Sequence, residues 1–533
     1  MRARAPALAA ASLAAALAAL AGAAGAAPLR AQDAPSPPTP QALAPAPAAS
    51  PLVPPDHWAW AAARRLDVLG LAPPGFDRGR SLRTRRELEW LFERAAAVAA
   101  RERPGLAALA NGYLDRFREE FGYVRSVRAA AALAGPAPAV ERPVTAALTG
   151  GYERLVGRAA TGVGYLDWSG ARPIPDTLTA FLAPELAWLP SSHLSLHAEP
   201  VFRAGGVGLR QADLVAVLGP IGAWAGRRTV RFGPGEWGGI VLDDGVPLDG
   251  FGGFLARPIR FPWILRAMGP IQIESFFSKA YGGDTIRDPF FVAFRGTMAP
   301  SARLTVGLNR AAMFAGRGNQ PITLKNMAFL ALGGTGGGAS GTSGGFANDV
   351  LSVDVTYRPP VERWLPLVTY LEWGMDDAAG MWHRSPAIVA GLRNDAVPGL
   401  PWLSLGVERT SFAVSDLSTN TMWYRDWSLR NGWADAGVPV GHPLGGEGTE
   451  LLGTAAADLL DARLRLTAHV FRRHRGNQNL FAPQRMGVSH GGALRLAGRI
   501  RPGLELLFDG SAERGAGGAW STSQLTTSLR WMH

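Results

Sequence analysis

The chain runs to 533 residues, with 54 Lys+Arg against 43 Asp+Glu, a formal charge of +11, and no cysteine. Lacking cysteine, it has no disulfides and no thiolate metal sites, which fits an exported protein. Lysine occurs only at Lys279 and Lys325, so the positive charge is almost all arginine, suited to bidentate binding of carboxylate or phosphate. The plainer source of that excess is a general replacement of lysine by arginine. No DNA- or RNA-binding motif is present, and nucleic acid is not an expected partner.

At the N-terminus, Arg2 and Arg4 precede a small apolar run from Ala7 to Ala21, then Ala24-Gly25-Ala26. That order of charge, apolar core and small residues predicts a secretory signal over 1–26, with a second cut position after Ala31. The run is too short and too weak for a membrane-spanning helix, which needs ~20 strongly apolar residues. Residues 27–55 follow as a linker rich in Pro and Ala (Pro35, Pro37, Pro38, Pro40, Pro45, Pro47), and its composition predicts a disordered tether.

Residues 56–143 read as a helical region, which the resemblance described below places on the periplasmic side. Trp58, Ala62, Leu66 and Leu69 share one helical face after Asp56 as N-cap, and Gly70 with Pro73-Pro74 stops that helix. Thr84-Arg85-Arg86-Glu87 is a capping-box pattern opening a second helix striped by Leu88, Leu91, Phe92, Ala95 and Val98. Pro104-Gly105 breaks it, and a third stripe runs Leu106, Leu109, Tyr113, Phe117, Phe121. Ala129 to Pro143 reads as a linker.

From 144 to 533 the period becomes 2. Leu194, Leu196 and Ala198 alternate with Ser195, His197 and Glu199; Leu351, Val353 and Val355 with Ser352, Asp354 and Thr356; Leu464, Leu466, Ala468 and Val470 with Arg465, Thr467 and His469. The last stretch alternates Leu525, Thr527, Leu529 and Trp531 with Gln524, Thr526, Ser528 and Arg530. In a strand, such a dyad puts apolar and polar groups on opposite faces. A soluble sandwich alternates too, but arginines and acids at several inward positions suit a wet lumen. Gly 66 and Trp 17 agree, since turns need glycine and membrane interfaces enrich tryptophan. The prediction is an all-β transmembrane barrel behind a small α-helical bundle. Roughly 390 residues at ~10 per tilted strand plus connections allow 16 to 20 strands, with about 18 expected. Gly333 to Gly345 and Trp427 to Glu450 read as long loops.

Motifs that could carry chemistry are mostly explained otherwise. Gly341-Thr342-Ser343-Gly344-Gly345 matches a nucleophile elbow but lies in a glycine run with no helix after it. Gly233-Pro234-Gly235-Glu236-Trp237-Gly238 fits G-x-G-x-x-G, yet Gly239, Pro247 and Gly250 exclude the following helix, leaving a tight turn. His193 and His197 on a strand stand about 13 Å apart and read as lumen-facing histidines. Asp243-Asp244 and Asp376-Asp377 read as loop or turn residues. No enzyme activity, cofactor or metal is expected. Arg228, Arg231, Glu236 and Trp237 form a cluster of arginine, acid and aromatic suited to sugar recognition; the plainer reading is that Arg and Glu pair across the lumen to fill it. Trp423, Trp427 and Trp433 form a second aromatic group.

Three segments resemble the capsule-assembly Wzi family of outer-membrane proteins: GRRTVRFGPGEWGGIVLDDGVPLDGF (Gly226–Phe251), VGHPLGGEG (Val440–Gly448), and the helical lead-in HWAWAAARRLDVLGL (His57–Leu71) with SLRTRRELEWL (Ser81–Leu91). The resemblance spans about Asp56 to His533. The Met532-His533 end and the glycine-rich insertion around Thr335 to Ser343 depart from it. It implies an 18-stranded outer-membrane barrel with a periplasmic helical bundle, acting as a lectin for capsular polysaccharide at the cell surface. Independently of the resemblance, the arginine excess points to lipopolysaccharide headgroups or acidic polysaccharide as anionic partners, outer-membrane lipid is expected around the barrel, and a monomer is expected. The family has no catalytic residues to transfer. A porin-like channel for anionic solutes or polysaccharide is the alternative.

Overall fold

The computed structural model describes residues 48–73, 76–125, 139–157, 176–243, 245–281, 286–319, 323–326, 347–361, 364–376, 386–412, 423–425, 432–435 and 437–532. Three helices come first: α1 (Trp58–Val68), α2 (Arg85–Glu102) and α3 (Ala107–Glu120). The Thr84 hydroxyl accepts from the Glu87 N–H at 3.2 Å, as the capping pattern predicts. The first cap differs from expectation: His57, not Asp56, caps α1 through its ring nitrogen, while Asp56 faces Arg210 at 3.4 Å. None of the described helices is long and apolar enough to cross a membrane.

Eighteen antiparallel strands follow and close on themselves. The first six are β1 (Val144–Gly157), β2 (Thr179–Ser191), β3 (Leu194–Arg203), β4 (Gly206–Leu218), β5 (Ile221–Arg228) and β6 (Leu248–Leu255). The next six are β7 (Ile271–Lys279), β8 (Phe290–Ser301), β9 (Leu304–Phe314), β10 (Ala347–Tyr357), β11 (Leu367–Asp376) and β12 (Ala387–Asn394). The last are β13 (Leu403–Phe412), β14 (Gly448–Leu459), β15 (Leu464–Arg475), β16 (Gly487–Arg501), β17 (Leu504–Gly515) and β18 (Ser521–Met532). Each strand pairs with its sequence neighbour, and β18 seals the ring against β1, from Thr522 opposite Gly157 to Met532 opposite Ala147. Closure leaves no unpaired edge, which a wall in lipid requires.

The wall is inverted relative to a soluble protein. On β15, Arg465, His469, Arg473 and Arg475 are buried, while Val470 is 66 % exposed. On β18, Gln524, Thr526 and Ser528 are buried and Leu525, Leu529 and Trp531 exposed. Apolar groups outside and paired polar groups inside are the signature of an outer-membrane-type barrel. Trp188, Trp263, Trp364, Trp402 and Trp531 are all exposed, and all lie at the end where the strand connections meet the helices. That is the placement of an interfacial aromatic girdle. His193 departs from expectation: it is exposed in the turn before Leu194 and points to no lumen, whereas His197 is buried inside.

The helices do not sit beside the barrel; they plug it. Arg65 of α1 pairs with Asp458 of β14. Arg116 of α3 meets Glu505 of β17 at 2.7 Å, and Arg85 at the start of α2 meets Glu185 of β2 at 2.7 Å. Glu120 pairs with Arg530 of β18. The segment before α1 is packed as well: Val53 N–H donates to Arg83 O at 2.9 Å, and Ala49 N–H to Ser192 O at 2.8 Å. The expected tether is thus ordered from residue 48 onward. Within the expected linker, Ala139–Glu141 instead pairs as a strand with Tyr123–Arg125. The glycine-rich stretch Gly333 to Gly345, including the elbow match, and the second members of both acid pairs, Asp244 and Asp377, lie outside the described residues.

Candidate functional site

Two connections from the opposite end of the barrel turn inward to meet the helical insert. The first, between β5 and β6, holds the cluster singled out in the sequence. Gly233 has φ +110°, a conformation that glycine tolerates and other residues avoid. Its N–H donates to Gly79 O at 3.2 Å, and the Arg231 N–H donates to the Ser81 hydroxyl at 2.9 Å. The segment between α1 and α2 and the FGPGEWG turn therefore cross in the middle of the lumen. The crossing is fixed to the wall by Arg295 of β8, which binds Asp77 at 2.7 Å and Asp354 of β10 at 2.6 Å.

The second inward connection lies between β13 and β14 and carries VGHPLGGEG. Asp243 N–H donates to Val440 O at 2.8 Å, and the Trp433 indole donates to Val241 O at 2.9 Å. The Tyr424 hydroxyl bonds Ile240 O and accepts from His442 N–H. Two of the three segments that carry the family resemblance thus fold against each other as one plug. Their glycines follow from this: a Cβ at Gly441 would stand 2.5 Å from the Tyr424 hydroxyl.

The candidate residues fall into two groups. Arg228 is fully buried, 3.7 Å from Asp213 and over the Trp224 ring. Trp423 and Trp433 are buried in the apolar core of the plug, against Phe412 and Phe291 respectively. Trp427 lies outside the described residues. Arg231, Glu236 and Trp237, by contrast, border a lumen chamber of about 270 Å³. Its other walls are α1, through Trp58, Trp60 and Arg64, and the inner faces of β1–β4 and β15–β18. Glu236 reaches Arg393 of β12 at 2.5 Å, so arginine and acid do pair across the lumen. Trp237 lies edge-on to His469 and Phe471, with the Arg473 guanidinium 5.0 Å from its ring.

The plug electrostatics are set by burial and neighbouring charge. Burial alone would raise the Glu236 carboxyl, but Arg393 and Arg64 hold it well below the usual carboxylate range. Burial lowers Arg64 to about 9, with the nearby Arg231 charge adding to the effect. His442 is pushed well below its usual value by burial, then by Arg473 and Arg231, and stays neutral.

Glu408, His442 and Glu450 bring ligand atoms within 4.8 Å of one another. Hydrogen bonding engages part of this cluster. Leu444 N–H can only donate, so the Nδ1 of His442 accepts, and the proton of the neutral ring sits on Nε2. Glu408 Oε2 accepts from Tyr370 and Glu236 N–H, while its Oε1 is buried with no hydrogen bond among the described residues, and Glu450 binds Arg473.

Sequence reasoning missed Trp60 and Arg64. They lie four apart on α1, off the stripe that marks its apolar face, so a periodicity search for core residues passes over them.

Comparison with known proteins places the fold. The family described as "Capsule assembly protein Wzi" matches residues 170–517. No curated protein sequence matches. Among solved structures, Wzi of Escherichia coli, described as an outer membrane protein involved in group 1 capsule assembly and a carbohydrate-binding β-barrel, is 16 % identical. The match covers 90 % of this chain and 99 % of that one, with a TM-score of 0.68. OccK11 (OpdR) of Pseudomonas aeruginosa matches at 10 % identity over 73 % of this chain and 95 % of its own, TM-score 0.44. OprD of the same organism matches at 9 % over 74 % and 94 %, TM-score 0.43.

Proposed function

The chain belongs to the capsule assembly protein Wzi family, and from that premise we propose that it is a lectin-like barrel that binds and organises capsular or other surface polysaccharide. In this reading the signal over 1–26 is removed and the barrel sits in the outer membrane. The helix-capped end faces the periplasm, and the two inward-folding connections belong to the outer face. The family match over residues 170–517 carries the reading. What separates it from the porin-like alternative is lumen filling: the helical insert and both connections meet inside the wall through buried, paired charges. A pore needs an open, wet path.

Of the seven candidate residues, Arg231, Glu236 and Trp237 are the ones within reach of a ligand in the chamber, and Trp427 is assigned to the outer loops. Arg228, Trp423 and Trp433 serve the proposal by holding the plug in shape. The work is binding, and no catalytic step is invoked.

The test is genetic and direct. Deleting the gene should release polymer into the medium while synthesis continues, and the purified barrel should bind the producer's own polysaccharide. Arg231→Ala or Trp427→Ala should lower retention without lowering barrel yield. Steady ion or sugar flux through reconstituted protein, with no measurable glycan binding, would establish the channel reading instead.

A further inference from the structure

Seven arginines and six carboxylates border the lumen chamber. Most of the arginines are matched: Arg85 to Glu185, Arg210 to Glu199, Arg465 to Asp458, Arg495 to Asp509, and Arg530 to Glu120 and Glu185. Arg64 differs. Its guanidinium makes no hydrogen bond or ion pair among the described residues, and its Nε is buried. Glu236, the acid whose charge it feels most, is committed to Arg393 at 2.5 Å.

One helical turn away, Trp60 is 3 % exposed, and its indole N–H also has no partner. Both side chains border the same chamber. A buried donor without an acceptor is unfavourable, more so when charged, so two such donors beside one cavity are an arrangement awaiting an acceptor. The lowered Arg64 basicity agrees, since burial of the guanidinium produces it and the nearby Arg231 charge adds to it.

We propose that the chamber is a binding site for the carboxylate of a single sugar acid, held by Arg64 and the Trp60 indole N–H. A negative charge there balances the unmatched guanidinium, and a carboxylate presents the two acceptor oxygens that a guanidinium fork and a neighbouring N–H require. The volume, about 270 Å³, equals roughly nine waters at ~30 Å³ each. It lies below the ~300–1,000 Å³ of drug-sized pockets, which favours a monosaccharide over an oligosaccharide. Trp58 and Trp237 add ring surface for the C–H faces of the sugar. The site is internal, so it stands whether or not the outer face retains polymer.

The full-length protein in detergent should be titrated with D-glucuronate, and separately with glucose and inorganic phosphate, following tryptophan fluorescence and heat. Glucuronate is expected to bind saturably, glucose at least tenfold more weakly, since the neutral sugar lacks the charge-assisted bonds (about a factor of ten or more). Arg64→Gln should weaken glucuronate by roughly the same factor. Trp60→Phe, which keeps an aromatic ring, smaller than the indole, and removes the donor, should weaken it by about fivefold. If Arg64→Gln fails to give a folded barrel, the Trp60→Phe titration decides. Equal affinity for glucose, phosphate binding as tightly as glucuronate, no saturable response, or unchanged affinity in the folded variants would each overturn the assignment.

Discussion

Gly233 concentrates the residue-scale logic of the plug. Its φ of +110° already disfavours a side chain, and a Cβ would stand 2.4 Å from Glu372 Oε2. Gly79, across the crossing, is equally confined: a Cβ there would stand 2.4 Å from the Arg295 guanidinium. Gly233→Ala should therefore push the two lumen segments apart, at a local cost of about 1–3 kcal/mol. In planar bilayers the variant is expected to show larger and more frequent conductance steps than the wild type, while barrel yield is unchanged. Identical traces would mean that the crossing does not seal the lumen. The turn itself was legible in the sequence, because Gly239, Pro247 and Gly250 exclude a helix. That it folds inward to cross Gly79 was not, since nothing local relates residues separated by so much chain. The same holds for Arg64: beside Arg65 on an alanine-rich helix, it reads as solvated until the wall that surrounds it is known.

At the scale of elements, the helical insert is held by two kinds of contact. Inside it, Leu88, Leu91 and Phe92 of α2 pack with Tyr113 and Phe117 of α3. Leu91→Asp would place a carboxylate in that core and cost at least about 3 kcal/mol from lost apolar burial and buried charge. The insert should then become protease-sensitive while the barrel persists; loss of the whole barrel would show that it cannot fold without its plug. Toward the wall, the contacts are ionic. Glu120 accepts from the Trp58 indole at 2.6 Å, lies 2.9 Å from His57, and pairs with Arg530. Burial alone would raise this carboxyl, but His57 and Arg530 hold it well below the usual range. A carboxyl depressed in the folded state stabilises above its unfolded value near 4.3, and that contribution is lost as pH falls through the depressed range. Acidification below about pH 4 should thus loosen the insert before the barrel, read as increased cleavage within 58–120 by an acid-active protease. Cleavage unchanged with pH would remove Glu120 from that role. The stripes and the capping box made these helices legible from the sequence. Their docking inside the lumen was not, because ion pairs such as Arg116–Glu505 leave no periodic trace.

At the scale of the molecule, the dyad decides the fold once its faces are assigned. Alternation alone fits a sandwich; what selects the barrel is that the charged face turns inward, as Arg465, His469 and Arg473 do on β15, with Val470 outward. Every strand is hydrogen-bonded on both sides, and the Thr522–Met532 seam against β1 leaves no edge to fray. Unboiled protein should therefore resist detergent and migrate differently from boiled protein on a denaturing gel; a mature chain soluble in the periplasm without detergent would contradict the barrel in a membrane. Charge sets the final expectation. The chain carries +11 overall, yet the lumen arginines are largely matched by acids, so in the proposed orientation the attraction for an acidic polymer is expected from arginines outside the lumen. Such attraction acts through solvent and is screened over ~10 Å at 0.1 M salt. Binding of an acidic surface polysaccharide should weaken steadily between low salt and about 0.5 M, while the buried plug pairs, screened far less, keep the barrel folded throughout. Binding that is indifferent to salt would place recognition on aromatic stacking and neutral hydrogen bonds, and the arginine excess would then be a matter of composition alone.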